Sequence, residues 1–161
     1  MASTTFSGPV TSLNGFIGAV TGNVTGNITG NITGNIAGSG RITHATTSAI
    51  NATATATAAE VATGYITSTS AAATTITLPT GTLLGAALGA VRGTVFDLYV
   101  DNTAGASTVT MAVAVNGVLS SAAVDTAASF GDLTIAAGAT GIARFTIMFS
   151  SATAYVFTRT A

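Results

Sequence analysis

A chain of 161 residues with only 6% charged side chains, a net charge of −1 and no cysteine is long enough for one modest domain with extensions. Its basic residues are four arginines (Arg41, Arg92, Arg144 and Arg159), too few for an electrostatic footprint on a phosphate backbone, so nucleic acid is excluded as a partner. Without cysteine there is no disulfide framework, thiolate metal site or thiol nucleophile.

Hydrophobic residues reach 48%, but many of them are Ala, and Thr, Gly and Ser fill most of the rest. Small side chains let backbones approach closely, and a surface with so few charges favours association. The composition therefore predicts an obligate oligomer.

The chain reads as three zones. Residues 1–40 hold no charged side chain and contain the run "VTGNVTGNITGNITGNIAG" at 20–38. In an extended chain alternate residues face opposite sides. One side then carries Val20, Val24, Ile28, Ile32 and Ile36 separated by glycines, and the other carries Thr and Asn. The four-residue period is thus a strand period of two, with large and small residues alternating on the apolar side. One large side chain in four residues returns less than the conformational entropy lost in ordering all four. The arm therefore requires partners. Three copies around an axis would make a stalk of about 50 Å at roughly 3.3 Å per residue; a small solenoid, or an arm laid on another protein, fits the same pattern. The candidate contact residues are Phe6, Val10, Leu13, Phe16, Ile17, Val20, Val24, Ile28, Ile32 and Ile36. The sequons at Asn23, Asn27, Asn31 and Asn51 are by-products of composition, not expected glycan sites.

Residues 41–72 are Ala- and Thr-rich and predict an irregular connector, with one helical turn near Glu60 and a strand at "GYITST" (64–69). The Thr-Ala alternation at 53–57 also prompts a Thr-rich ice- or surface-binding reading, although it occurs in one short block.

From residue 73 the pattern becomes one of hairpin-sized strands. "TTITL" (74–78) is followed by one short helix in "TGTLLGAALGAVRG", with Thr82 as its cap, Gly93 as its end, and Leu83, Leu84, Ala87, Leu88 and Val91 on one face. Gly85 and Gly89 weaken it. "TVFDLYVD" (94–101) alternates Phe96, Leu98 and Val100 against Asp97, Tyr99 and Asp101. "STVTMAVAV" places Val109, Met111, Val113 and Val115 on one face, and Asn116-Gly117 then offers a tight hairpin turn. "DLTIA" (132–136), "IARFTIMF" with Phe145, Ile147 and Phe149 inward and Arg144 outward, and "AYVFTR" (154–159) complete about seven strands. The expected fold is all-β: an antiparallel β-sandwich, jelly-roll-like, over 73–161 with one short helix, preceded by the extended arm.

Catalytic and metal chemistry find little footing. His44 is the single histidine, no Gly-x-Ser-x-Gly occurs, and no His/Cys ligand spacing exists. Asp97 and Asp101 share one strand face, which suits solvent-facing charges, calcium bridging across an oligomer axis, or pairing with Arg144 or Arg159. Tyr99 between them is a candidate contact residue. No Walker-type lysine follows the glycines. No enzyme activity and no cofactor are expected.

The opening "MASTTFSGPV" lacks the basic and apolar regions of a signal peptide. The most apolar run, "LLGAALGAV" (83–91), is shorter than the roughly 20 residues of a membrane helix, so no membrane association is expected.

Nearly the whole chain resembles tailed-phage virion proteins of the head-decoration (cement) and head-fibre kind. The opening "TTFSGPVTSLNGFIG" running into "VTGNVTGNITGNITGN" is similar to their N-terminal arm. "GYITSTSAAATTITLPTGTLLGAALGAVRGTVFDLYVDNTAGASTVTMAV" is similar to the start of their β-domain, and "TIAAGATGIARFTIMFSSATAYVF" to its end. The resemblance implies a homotrimer made in the host cytoplasm and placed on the capsid exterior. It would grip the major capsid protein and neighbouring decoration subunits, with residues 1–40 as the gripping arm. The same motifs fit a trimeric head or tail fibre that attaches to a host surface.

Overall fold

Alternating patterns specify which side of a strand is buried, and the neighbours come from the topology. A computed structural model describes residues 46–120 and 133–160, all within the compact unit Arg41–Ala161. It is mostly strand, in two sheets, with two helices among the described residues.

In chain order the elements are β1 (Ser48–Ala49), β2 (Ala54–Thr55), α1 (Ala58–Ala62), β3 (Tyr65–Thr67), β4 (Thr74–Thr77), α2 (Gly81–Leu88), β5 (Val95–Asp101), β6 (Val109–Ala112), β7 (Gly117–Leu119), β8 (Thr134–Ile135), β9 (Ile142–Ser151) and β10 (Ala154–Arg159). The six-stranded sheet has the order β1-β3-β5-β9-β10-β7, and the four-stranded sheet β2-β4-β6-β8. From β1 to β8 the described strands therefore alternate between the sheets.

That alternation overturns the expected antiparallel pairing. As far as β6, each strand is followed by one in the other sheet and successive strands of the same sheet run in the same direction. β1–β3, β3–β5, β2–β4 and β4–β6 are all parallel, and so is β10–β7. Among the described residues, antiparallel pairing is confined to β5–β9, β9–β10 and β6–β8. Three two-strand rungs (β1 with β2, β3 with β4, β5 with β6) thus stack in register, and both helices occupy returns from the four-stranded to the six-stranded sheet.

The connector region supplies β1 to β3 and α1, one helical turn near Glu60 as expected. Thr57 and Glu60 form a capping box: the Glu60 amide donates to Thr57 Oγ1 at 3.2 Å and the Thr57 amide to Glu60 Oε2 at 2.7 Å. The Thr alternation of 53–57 ends at this cap.

α2 starts and stops earlier than the sequence suggests. Thr80, not Thr82, caps it by accepting from the Leu83 amide at 3.3 Å, and Gly89 ends it in the left-handed region at φ 58°, four residues before Gly93. Its buried face is Gly81, Leu84 and Gly85, whereas Leu83 and Val91 are 60% and 64% exposed. The glycines decide this. A Cβ at Gly81 would fall on the Thr153 carbonyl oxygen, and one at Gly85 on that of Ala152, so the helix seats on the β9–β10 turn through its two bare positions.

Asn116 takes φ 64°, so the turn chemistry holds. It joins β6 to β7 in different sheets, however, and is not a hairpin. β6 ends at Ala112 and Val115 is exposed, because the chain is already crossing between sheets.

One cluster of buried apolar side chains draws on both sheets. Ile66, Leu98, Val100, Phe145, Ile147, Tyr155 and Phe157 come from the six-stranded sheet, and Ile76, Val109, Met111 and Ile135 from the other. Phe145 and Phe157 stack with centroids 4.8 Å apart.

Candidate functional site

With Leu98, Val100, Phe145, Ile147 and Phe157 turned inward, the alternate residues of β3, β5, β9, β10 and β7 form the outer face of the six-stranded sheet. Register arranges this face in rows across the strands.

The first row is apolar. Val95 pairs with Met148, Met148 with Val156, and Val156 with Val118, so four apolar side chains line up across β5, β9, β10 and β7. Val95 is 58% exposed, Met148 50% and Val118 59%. Exposed apolar side chains scattered singly need no explanation; these four are neighbours across the strands.

Two residues further along β5, the next row is polar. Asp97 pairs with Thr146 across β5 and β9, and Thr146 with Thr158. Asp97 Oδ2 forms an exposed ion pair with Arg144 Nη2 at 2.7 Å, and its Oδ1 accepts from Thr146 Oγ1 at 2.9 Å. The Arg144 hydrogen bond to Asp97, with the Asp97 charge, raises the Arg144 pKa above its ordinary value.

The third row is aromatic and cationic. Tyr65, Tyr99 and Arg144 lie side by side on β3, β5 and β9. The two tyrosine rings stack with centroids 6.3 Å apart and planes 21° from parallel. Tyr65 Oη donates to Asp101 Oδ2 at 2.9 Å. Asp101 Oδ1 accepts from the Thr103 hydroxyl at 2.6 Å and the Thr103 amide at 2.9 Å, and these bonds hold its carboxyl below the usual carboxylate range. Partial burial, reinforced by that carboxylate, pushes the Tyr65 phenol up. Beside Tyr99 an open groove of about 420 Å³ is lined by Tyr99, Ile142, Ala143 and Arg144.

The arm residues Phe6, Val10, Leu13, Phe16, Ile17, Val20, Val24, Ile28, Ile32 and Ile36, like His44, lie outside the described residues. The sequence placed Asp97, Tyr99 and Asp101 on one face, and they are there. Of the pairings open to Asp97, the structure makes the one with Arg144. No cluster of three metal-ligating side chains exists among the described residues, and no helix among them is long and apolar enough to cross a membrane.

Sequence reasoning missed the apolar row and the contributions of Tyr65 and Ile142. The signal was present in β9. If Phe145, Ile147 and Phe149 point inward, then Ile142 and Met148 must point outward despite being apolar. That Met148 meets Val95, Val156 and Val118 depends on register between strands distant in sequence.

Comparison with models of known protein families, with curated proteins and with solved structures yields no match to this chain.

Proposed function

We propose that the chain is a non-enzymatic virion structural protein that decorates and stabilises the exterior of a tailed-phage capsid, binding the major capsid protein as a homotrimer. In this reading the two sheets close as a β-sandwich knob, and residues 1–40, with Phe6 to Ile36, contact the shell or neighbouring decoration subunits.

The observation that carries the proposal is the apolar row Val95–Met148–Val156–Val118. It spans four strands and contains no ionised group, so a neighbouring subunit can cover it without desolvating a charge. The 6% charge content and the resemblance of the arm and β-domain to virion decoration proteins point the same way. An uncharged arm is likewise inexpensive to bury against a shell.

The test is a deletion of residues 1–40. The truncated protein should remain folded and lose capsid binding, and unchanged capsid occupancy would sink the arm assignment. A fibre role in host attachment is the second reading, favoured by the tyrosine, arginine and aspartate cluster on the outer face. Gel densitometry of purified particles separates the two: hundreds of copies indicate decoration, a handful indicate a fibre.

A further inference from the structure

We propose that the groove beside Tyr99 on the outer face of the six-stranded sheet binds a neutral glycan. This goes beyond the capsid role and uses a different part of the face from the apolar row. Tyr99 lies four residues from Val95 on the same strand, about 13 Å away at roughly 3.3 Å per residue, so subunit contact and glycan contact can coexist.

The first argument is concentration. The described residues include six ionisable acids and arginines: Glu60, Arg92, Asp97, Asp101, Arg144 and Arg159. Three of these (Asp97, Asp101 and Arg144) gather on adjacent strands β5 and β9, together with two of the chain's three tyrosines. In a protein with 6% charged residues, such a gathering concentrates hydrogen-bonding groups on one solvent-facing surface.

The second is the kind of surface formed. A pyranose ring has C–H faces that lie against aromatic or aliphatic walls, and a rim of hydroxyls that both donate and accept. The groove supplies an aromatic wall in Tyr99, an aliphatic one in Ile142, which is 48% exposed, and guanidinium donors in Arg144. Carboxylate acceptors stand at Asp97 and Asp101, two residues to either side of Tyr99. An apolar recess with a few placed polar groups is the pattern of a small-ligand site.

The third is preorganisation. Asp97 is held by Arg144 and Thr146, and Asp101 by Tyr65 and Thr103. These polar groups on the strands beside the groove are therefore ordered before any ligand arrives, which lowers the entropic cost of binding. Charge selects the class of sugar: two carboxylates against one guanidinium, itself paired with Asp97, disfavour acidic glycans. An open groove binds weakly per site, and an array of copies on a particle multiplies weak binding through avidity.

The test uses the full-length protein and saturation-transfer NMR with cellohexaose, maltohexaose, chitohexaose and hexamannose, with hexagalacturonic acid as the acidic comparison. At least one neutral hexamer should bind with a dissociation constant below about 10 mM. Tyr99→Ala should weaken that binding at least about tenfold, which corresponds to about 1.4 kcal/mol. If Tyr99→Ala does not fold by circular dichroism, Ile142→Asp at the exposed wall provides the same test and should give the same loss. Absence of binding by all four neutral hexamers, stronger binding of the acidic one, or binding unchanged in the folded variant would each overturn the proposal.

Discussion

The side-chain amide of Asn102 donates to the main-chain carbonyl of Ala136 at 2.9 Å, joining the loop after β5 to the loop after β8. The same amide donates to the Ser107 carbonyl at 2.9 Å, and the Asn102 carbonyl accepts from the amides of Gly105 at 3.0 Å and Gly138 at 3.3 Å. Asn102 is fully buried and, among the described residues, its Oδ1 has no hydrogen-bond partner, so its side chain serves here as a donor. Asn102→Ala removes the donor from two part-buried carbonyls, those of Ser107 and Ala136. At about 1–3 kcal/mol for each fully buried unsatisfied group, about 6 kcal/mol is the ceiling for the pair, and their partial exposure brings the expected loss in urea unfolding to about 1–4 kcal/mol. Asn102→Asp should be worse, and increasingly so as pH rises and the buried carboxyl is forced to ionise against carbonyl oxygens.

Gly85 tests the seating of α2. On an isolated helix Gly85→Ala would stabilise by about 1 kcal/mol. Here the added Cβ falls on the Ala152 carbonyl, a backbone atom with little freedom to retreat. Overpacking of this sort costs about 1–3 kcal/mol, so the net effect should be a lower melting temperature. Gly81→Ala should behave likewise against the Thr153 carbonyl. A higher melting temperature for both variants would show that the helix is not seated through its glycines.

The proposed oligomer is expected to form through the apolar row. Met148→Lys and Val118→Lys place a charge on exposed side chains and should leave the monomer fold intact by circular dichroism. Each removes an apolar contact worth about 1.5–3 kcal/mol when fully buried, so subunit dissociation should rise by about ten- to a hundredfold in sedimentation equilibrium. An undisturbed oligomer in the double variant would place the subunit interface elsewhere.

Tyr155 gives a pH dependence of known sign. Its ring is buried and its hydroxyl donates to the Pro79 carbonyl at 3.0 Å. Burial pushes the phenol pKa up to about 12, from 10.0 when exposed. The folded state therefore holds this proton more tightly than the unfolded state. Its contribution is fully present below pH 10 and is lost as pH rises towards 12. Unfolding free energy should fall by about 1–3 kcal/mol across that window, measured by denaturant titration at successive pH values. Tyr155→Phe should start from a lower stability and show a flatter profile.

Much of the interior was legible because strands have a period of two. Leu98 and Val100, Val109 and Met111, and Phe145, Ile147 and Phe149 are all buried as their alternation required. The helical turn at Glu60 and the positive φ at Asn116 were equally legible, since caps and tight turns depend on a few adjacent residues. The bounds and buried face of α2 were not. Hydrophobicity pointed to Leu83 and Val91, but the backbone of the β9–β10 turn lies opposite the glycines, and close approach outweighed side-chain burial.

By itself the sequence determined composition, strand faces and turn chemistry, all of which follow from local sterics and alternation. Only the tertiary structure decided which strands are neighbours and in which direction they run. Stacked positions such as Ser48, Ile66 and Val100 are unequally spaced along the chain, because α1 and α2 lengthen the returns between sheets, and no periodic signal survives those insertions. The same cause hid the outer face. Val95, Met148, Val156 and Val118 form a surface, and Tyr65, Tyr99 and Arg144 a row beside it, because register places residues remote in sequence at adjacent positions on the sheet.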